Sequence, residues 1–188
     1  MESILEKRTN IIFNGIGGEK MIKVGLNSIV DINKMAIMGF IEVIKHLNFF
    51  RNLIKILLNK IDTCNPVQII LIDYPGFNLR LAKKIKEQFD IPITYYISPQ
   101  IWAWKEKRIN VIKKYIDQML VIFPFEKEWY SERGINVEWV GHPYLEQWTA
   151  SSKSDLKLKL GLDINKPLLT LFPGSRKQEI DKHLNLCL

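Results

Sequence analysis

The sequence predicts an α/β fold with a mostly parallel sheet, and three observations carry that expectation. Short apolar runs of strand length alternate with longer amphipathic stretches throughout the chain. Most of the apolar runs end in a loop marked by glycine, proline or aspartate, such as Gly15-Ile16-Gly17-Gly18, Asp73-Tyr74-Pro75-Gly76 and Pro173-Gly174-Ser175. The 188 residues are 47% hydrophobic and 25% charged, which supplies a sizeable core and argues against general disorder.

The elements follow in order. Residues 3–7 resemble the tail of a helix. Apolar runs predict strands at 11–14, 68–72, 93–97, 118–122, 137–140 and 168–172. Amphipathic spacing predicts helices at 19–24, 38–62, 78–89, 105–115, 126–133, 154–160 and 176–186. The helix at 38–62 differs from the rest. Its apolar residues exceed what one helical face needs, and the charges from Lys34 to Lys60 are almost all positive, with Glu42 the single acid. Such a helix suits an anionic bilayer surface. Its C-terminal part is expected to pack on the sheet. Met38, Phe40, Ile41, Ile44, Phe49 and Phe50 are expected to stay exposed as membrane contacts.

A polar, small-residue stretch at 144–154 suggests a boundary, dividing the chain into 1–145 and 146–188. Past it, one strand between two helices cannot bury a core of its own. The chain therefore reads as an excerpt from a longer two-domain protein.

Composition narrows the function classes. The net charge of +7 asks for an anionic partner, or reflects a general bias toward lysine. Nucleic acid is disfavoured, because basic residues are spread over several helices and no recognition module is visible. Cys64 and Cys187 lie far apart without metal-ligand spacing, as expected of a reducing, cytosolic compartment. No signal peptide opens the chain, and no apolar run reaches spanning length.

The strand-end loops hold the candidate chemistry, since ligands of open parallel sheets bind beyond the carboxyl ends of the strands. Asp73 either takes a proton from a substrate hydroxyl or caps the following helix. Gly17 and Gly18 let a backbone approach a phosphate or sugar, or simply make a tight turn. Trp102 and Trp104 either pack a sugar or acyl chain or belong to the core. The basic residues after them, Lys105 and Arg108 among them, either bind phosphate or form a solvated helix face. Arg176, at the start of a helix, suits phosphate oxygens, while Ser175 is equally an N-cap. His142 in Gly141-His142-Pro143 is a hydrogen-bonding group of a strand-end turn.

Taken together, GIGGEKM, MGFIEV, LIDYPGFNLRLAKKIKE, YYISPQIWAWKEKRI, VIFPFEKEWY, VGHPYLE and LFPGSRKQEI resemble the lipid-A-disaccharide synthase family, in that family's order and over nearly the whole chain. These are glycosyltransferases of the GT-B type, glycosyltransferase family 19. The resemblance implies a Rossmann-like, mostly parallel sheet with helices on both faces, plus the beginning of a second Rossmann-like domain. It implies transfer of diacylglucosamine from UDP-diacylglucosamine to diacylglucosamine 1-phosphate, giving a β-1,6 disaccharide and UDP. No metal and no cofactor are implied. The location implied is peripheral, on the cytoplasmic face of the inner membrane, and full-length members allow a homodimer.

The family's important acid falls on Asp73 and its important arginine on Arg176. The candidate substrate-binding residues beside them are Gly17, Gly18, Asn78, Ser98, Gln100, Trp102, Trp104, Lys105, Arg108, His142, Ser175 and Glu179. Two departures matter. The family's opening strand and G-E-x-S-G-D segment have no counterpart before Ile11, and most of its nucleotide-binding domain is absent. The 188 residues alone are therefore expected to be inactive. The competing readings are a non-catalytic membrane- or lipid-binding module and another GT-B enzyme of UDP-sugars, such as an epimerase.

Overall fold

The computed structural model describes residues 1–8, 10–30, 47–146, 152–175 and 177–187. They fall into two units, Met1–Pro143 and Tyr144–Leu188. The first unit runs α1 (Glu2–Lys7), β1 (Phe13–Gly15), α2 (Glu19–Lys23), β2 (Leu26–Ser28), α3 (Leu47–Cys64), β3 (Ile69–Ile72) and α4 (Pro75–Lys86). It continues with β4 (Ile93–Tyr96), a 3-10 turn (Glu106–Arg108), α5 (Ile109–Tyr115), β5 (Gln118–Val121), α6 (Pro124–Ser131) and β6 (Glu138–Trp139).

All the strand pairs are parallel. β1 pairs with β2, and β3, β4, β5 and β6 form a four-stranded sheet in sequence order. Parallel neighbours need a crossover, and α4, α5 and α6 supply the three in this sheet. The result is a Rossmann-like α/β unit with helices on both sides of its sheets. β4 is its buried centre: Ile93, Thr94 and Tyr95 are all buried, as a strand covered on both faces must be. At the edge, β3 buries Leu71 and leaves Ile70 and Ile72 exposed.

One apolar cluster holds the unit together. Leu53 and Leu57 of α3, four residues apart, meet Phe77, Leu81 and Ile85 of α4, which repeat at the same helical interval. The sheet contributes Leu71, Ile93, Tyr95, Met119 and Val121. Ile16, Ile29 and Val30, beyond the ends of β1 and β2, pack against this cluster.

Several expectations are corrected. Phe49 and Phe50 are not exposed: both are half-buried against the core, and the Phe50 ring lies 5.8 Å from Phe77 and 6.4 Å from Tyr74. The aromatic start of α4 gives them something to cover. Met38, Phe40, Ile41 and Ile44 lie outside the described residues. Helix α4 starts earlier than its apolar period suggests, because Pro75 occupies the first turn, where its missing N–H costs nothing. The strand β2 was not expected, and three residues are too few to show a period.

No strand forms at 168–172 among the described residues. That stretch pairs with nothing, and Leu169 and Phe172 stand 83% and 88% exposed. The second unit contains α7 (Lys153–Lys159), capped by the Ser152 hydroxyl accepting from Asp155 N–H at 3.1 Å, and α8 (Lys177–Cys187). Among the described residues no helix is long and apolar enough to cross a membrane.

Candidate active site at the carboxyl edge of the sheet

Because all four strands run the same way, the loops after β3, β4, β5 and β6 emerge along one edge. They bring Asp73, the loop 97–105, Phe123 and His142 to that edge, where open α/β sheets bind ligands.

Asp73 is held by its backbone. Its N–H donates to Tyr96 O at 2.9 Å, adding one rung to the β3–β4 ladder. Its carbonyl accepts from the Asn78 side-chain amide and from the Tyr95 hydroxyl, each at 2.6 Å. Asn78 also donates to Ile72 O at 3.1 Å, so its amide is committed within the turn. Two successive residues take left-handed backbone, Asp73 at φ +45° and Tyr74 at φ +47°. Such conformations cost on the order of 1–3 kcal/mol each and persist only when the surroundings over-determine them. Here the bonds to the two peptides that flank Asp73 do so. The carboxylate is exposed and does not cap α4: the capping position is Tyr74, and no side chain bonds the first turn. Tyr95 is a lasting donor, because burial, and then the Asp73 charge, push its phenol well above the usual range.

The loop after β4 is bracketed by two more left-handed residues, Ile97 at φ +65° and Lys105 at φ +59°. For a β-branched residue like Ile97 this is a true outlier. Within the loop, Ser98 is buried and its hydroxyl donates to Glu126 Oε1. Trp102 Nε1 donates to the same oxygen at 3.3 Å. The Glu126 Oε2 accepts from the amides of Phe123 at 2.9 Å and Ile122 at 3.2 Å. The Tyr130 hydroxyl, buried nearby and facing Ser98, reaches no hydrogen-bond geometry among the described residues. Gln100 contributes its carbonyl to the amides of Ala103 and Trp104, at 3.2 and 3.4 Å, while its side chain is exposed.

Rings continue the edge. Trp102 meets Phe125 edge-on at 5.1 Å, Phe125 stacks on Phe123 at 5.7 Å, and Phe123 lies 5.9 Å from His142. Trp104 is 54% exposed, with Lys105 Nζ 4.3 Å and the Arg108 guanidinium 5.8 Å from its ring centre. Neither tryptophan belongs to the buried core.

The remaining candidates are carried by other loops. Gly17 is buried beside Met21 and Leu26, and a β-carbon there would come within 2.6 Å of the Leu26 side chain. Gly18 opens α2 with clear space around it. In the second unit, Glu179 Oε2 accepts from Ser175 N–H at 3.0 Å. Gly174, at φ +118°, lets that carboxylate close over the turn. Arg176 lies outside the described residues. Two surface depressions, of about 390 and 240 Å³, are lined by residues around Lys113 and touch neither Asp73 nor Trp102.

Sequence reasoning missed Glu126 and Tyr95. Glu126 carried one signal, its place three residues after the helix cap, where a carboxylate reaches back to a backbone amide. Nothing in the sequence showed that it would be only 1% exposed.

A parallel Rossmann-like sheet with helices on both sides is consistent with part of a GT-B glycosyltransferase. Comparison with known proteins narrows this class. The family model for lipid-A-disaccharide synthetase matches residues 1–188, and the chain belongs to that family of glycosyltransferases. It is 45% identical over 172 residues to lipid-A-disaccharide synthase 1 of Legionella pneumophila (strain Lens), covering 91% of this chain and 45% of the relative. It is 39% identical over 184 residues to lipid-A-disaccharide synthase of Coxiella burnetii (strain CbuK_Q154), covering 97% and 49%. With the synthase of Trichlorobacter lovleyi the identity is 43% over 177 residues, covering 92% and 45%. The chain thus spans about half the length of the curated relatives it matches.

Proposed function

We propose that the chain is the acceptor-side part of a lipid-A-disaccharide synthase, with 1–145 as the acceptor domain and 146–188 as the linker and start of a nucleotide-binding domain. The reaction joins the sugar of UDP-diacylglucosamine to diacylglucosamine 1-phosphate, with UDP released. The observation that carries the reading is the Asp73 turn, whose backbone is bonded on both sides while its carboxylate faces out. As the acceptor hydroxyl attacks the anomeric carbon, its proton passes to the Asp73 carboxylate and the sugar–diphosphate bond breaks with inversion. Arg176 offsets the charge that gathers on the departing diphosphate.

The acceptor lies along Gly17, Gly18, Asn78 and the loop from Ser98 to Trp104, with Gln100 and His142 at its margins. Lys105 and Arg108, held over Trp104, meet its phosphate. Ser175 and Glu179 belong to the nucleotide side. Docking is peripheral on the cytoplasmic face of the inner membrane, through Met38, Phe40, Ile41 and Ile44. Purified alone, the 188 residues are expected to release no UDP.

The test joins this chain to the uncovered portion of the Coxiella burnetii relative and follows UDP release. Asp73→Asn should lower the rate at least about a hundredfold, the usual worth of a general base, with the thermal midpoint unmoved. An active Asp73→Asn fusion overturns Asp73 as the base. UDP release by the 188 residues alone overturns that expectation.

A further inference from the structure

We infer that Glu126 is a positioning residue, whose buried carboxylate seats Trp102 and so sets the loop 98–104 as one wall of the acceptor site. This rests on the acceptor-side reading above. An ordinary helix-start glutamate needs one oxygen for the backbone amides and leaves the other in water. Glu126 does otherwise. It is 1% exposed, and its second oxygen accepts from Ser98 and Trp102, residues 28 and 24 positions earlier in the chain. No basic side chain pairs with it among the described residues. Burying a carboxylate without a cation is costly unless every lone pair finds a donor, and here four donors converge on the two oxygens.

The effect falls on Trp102. Its indole N–H is drawn inward, its ring rests edge-on against Phe125, and it remains 37% exposed at the carboxyl edge. One carboxylate thereby ties the loop after β4 to the end of β5 and the start of α6.

Glu126→Gln separates this role from simple capping. The amide oxygen still accepts from Phe123 and Ile122, but the NH₂ group then meets the Trp102 N–H, donor against donor. The Ser98 hydroxyl turns to accept; the indole cannot.

The expected result is amide exchange at 98–104 about tenfold faster in Glu126→Gln, with β4 unchanged, as suits loss of a charge-assisted bond. Binding of diacylglucosamine 1-phosphate in detergent micelles should weaken about tenfold in Glu126→Gln and in Trp102→Phe, and no further in the double variant. A merely structural glutamate would lower the melting point and leave binding untouched. Unaltered exchange at 98–104, normal binding by folded Glu126→Gln, or additive losses in the double variant would each overturn the inference. A wild-type chain that ignores the lipid overturns the acceptor-side reading, whereas an unmoved loop overturns the seating of Trp102 itself. Should Glu126→Gln fail to fold, Ser98→Ala and Trp102→Phe leave the carboxylate and the helix cap in place and are held to the same outcomes.

Discussion

Asp73 and Tyr74 keep left-handed backbones because Asn78 and Tyr95 hold the peptide between them, so the stability of the turn should be measurable at those two donors. Asn78→Ala removes bonds to two carbonyls and should cost about 1–2 kcal/mol in urea unfolding; Tyr95→Phe removes one and should cost about 1 kcal/mol. The pair should be non-additive, since both donors serve the Asp73 carbonyl. If neither change moves the midpoint, the turn is held by something else. At this scale the sequence was partly legible. The Asp73-Tyr74-Pro75-Gly76 run announced a turn at a strand end. That the Asp73 carbonyl would also hold the hydroxyl of Tyr95, twenty-two residues away, was not legible.

Among the elements, β4, β5 and α4 meet at Asp117. Its amide donates to Ile93 O at 3.0 Å, its carboxylate accepts from Ile93 N–H at 2.6 Å, and Lys86 Nζ of α4 lies 2.8 Å away. Burial alone would raise its pKa, but the Lys86 hydrogen bond and the Ile93 amide outweigh it and hold the carboxyl below the usual value. A carboxyl depressed in the folded state adds stability above its unfolded pKa, about 3.9. That stability disappears as the pH falls below that value and through the folded pKa. The Asp117 side chain is 48% exposed, so the gain is screened to under about 1 kcal/mol. Asp117→Asn should therefore be less stable than wild type at pH 7, with the difference shrinking below about pH 4 in denaturant titrations at each pH. A constant difference across that range would mean that the charge plays no part. Helix α3 illustrates the limit of periodicity at this scale. Its pattern predicted a helix packed by its C-terminal part, and Leu53 and Leu57 pack as expected. Phe49 and Phe50 also turned inward, because the rings of Tyr74 and Phe77 offered an aromatic surface that only the assembled fold contains.

Over the whole molecule the two units differ in what holds them. Leu53 is 2% exposed at the centre of the first unit, and Leu53→Ala should cost about 2–5 kcal/mol, a large part of a domain's stability, read as a fall in the urea midpoint. Among the described residues of Tyr144–Leu188 none is buried, so that unit lacks the apolar contacts that resist local opening. Limited proteolysis should cut within 152–175 first and leave a resistant fragment that contains β3 to β6. Equal resistance of the two regions would contradict this. The sequence by itself determined the parallel α/β order, the loops that carry the candidate chemistry and the family, because periodicity, turn residues and motif spacing are local along the chain. Tertiary structure alone decided that Glu126 is buried under Ser98 and Trp102, that Phe49 and Phe50 are covered, and that 168–172 pairs with no strand among the described residues. Each of those outcomes depends on a partner distant in sequence, or on its absence from the described residues, and no local pattern records the neighbour a side chain or strand will find.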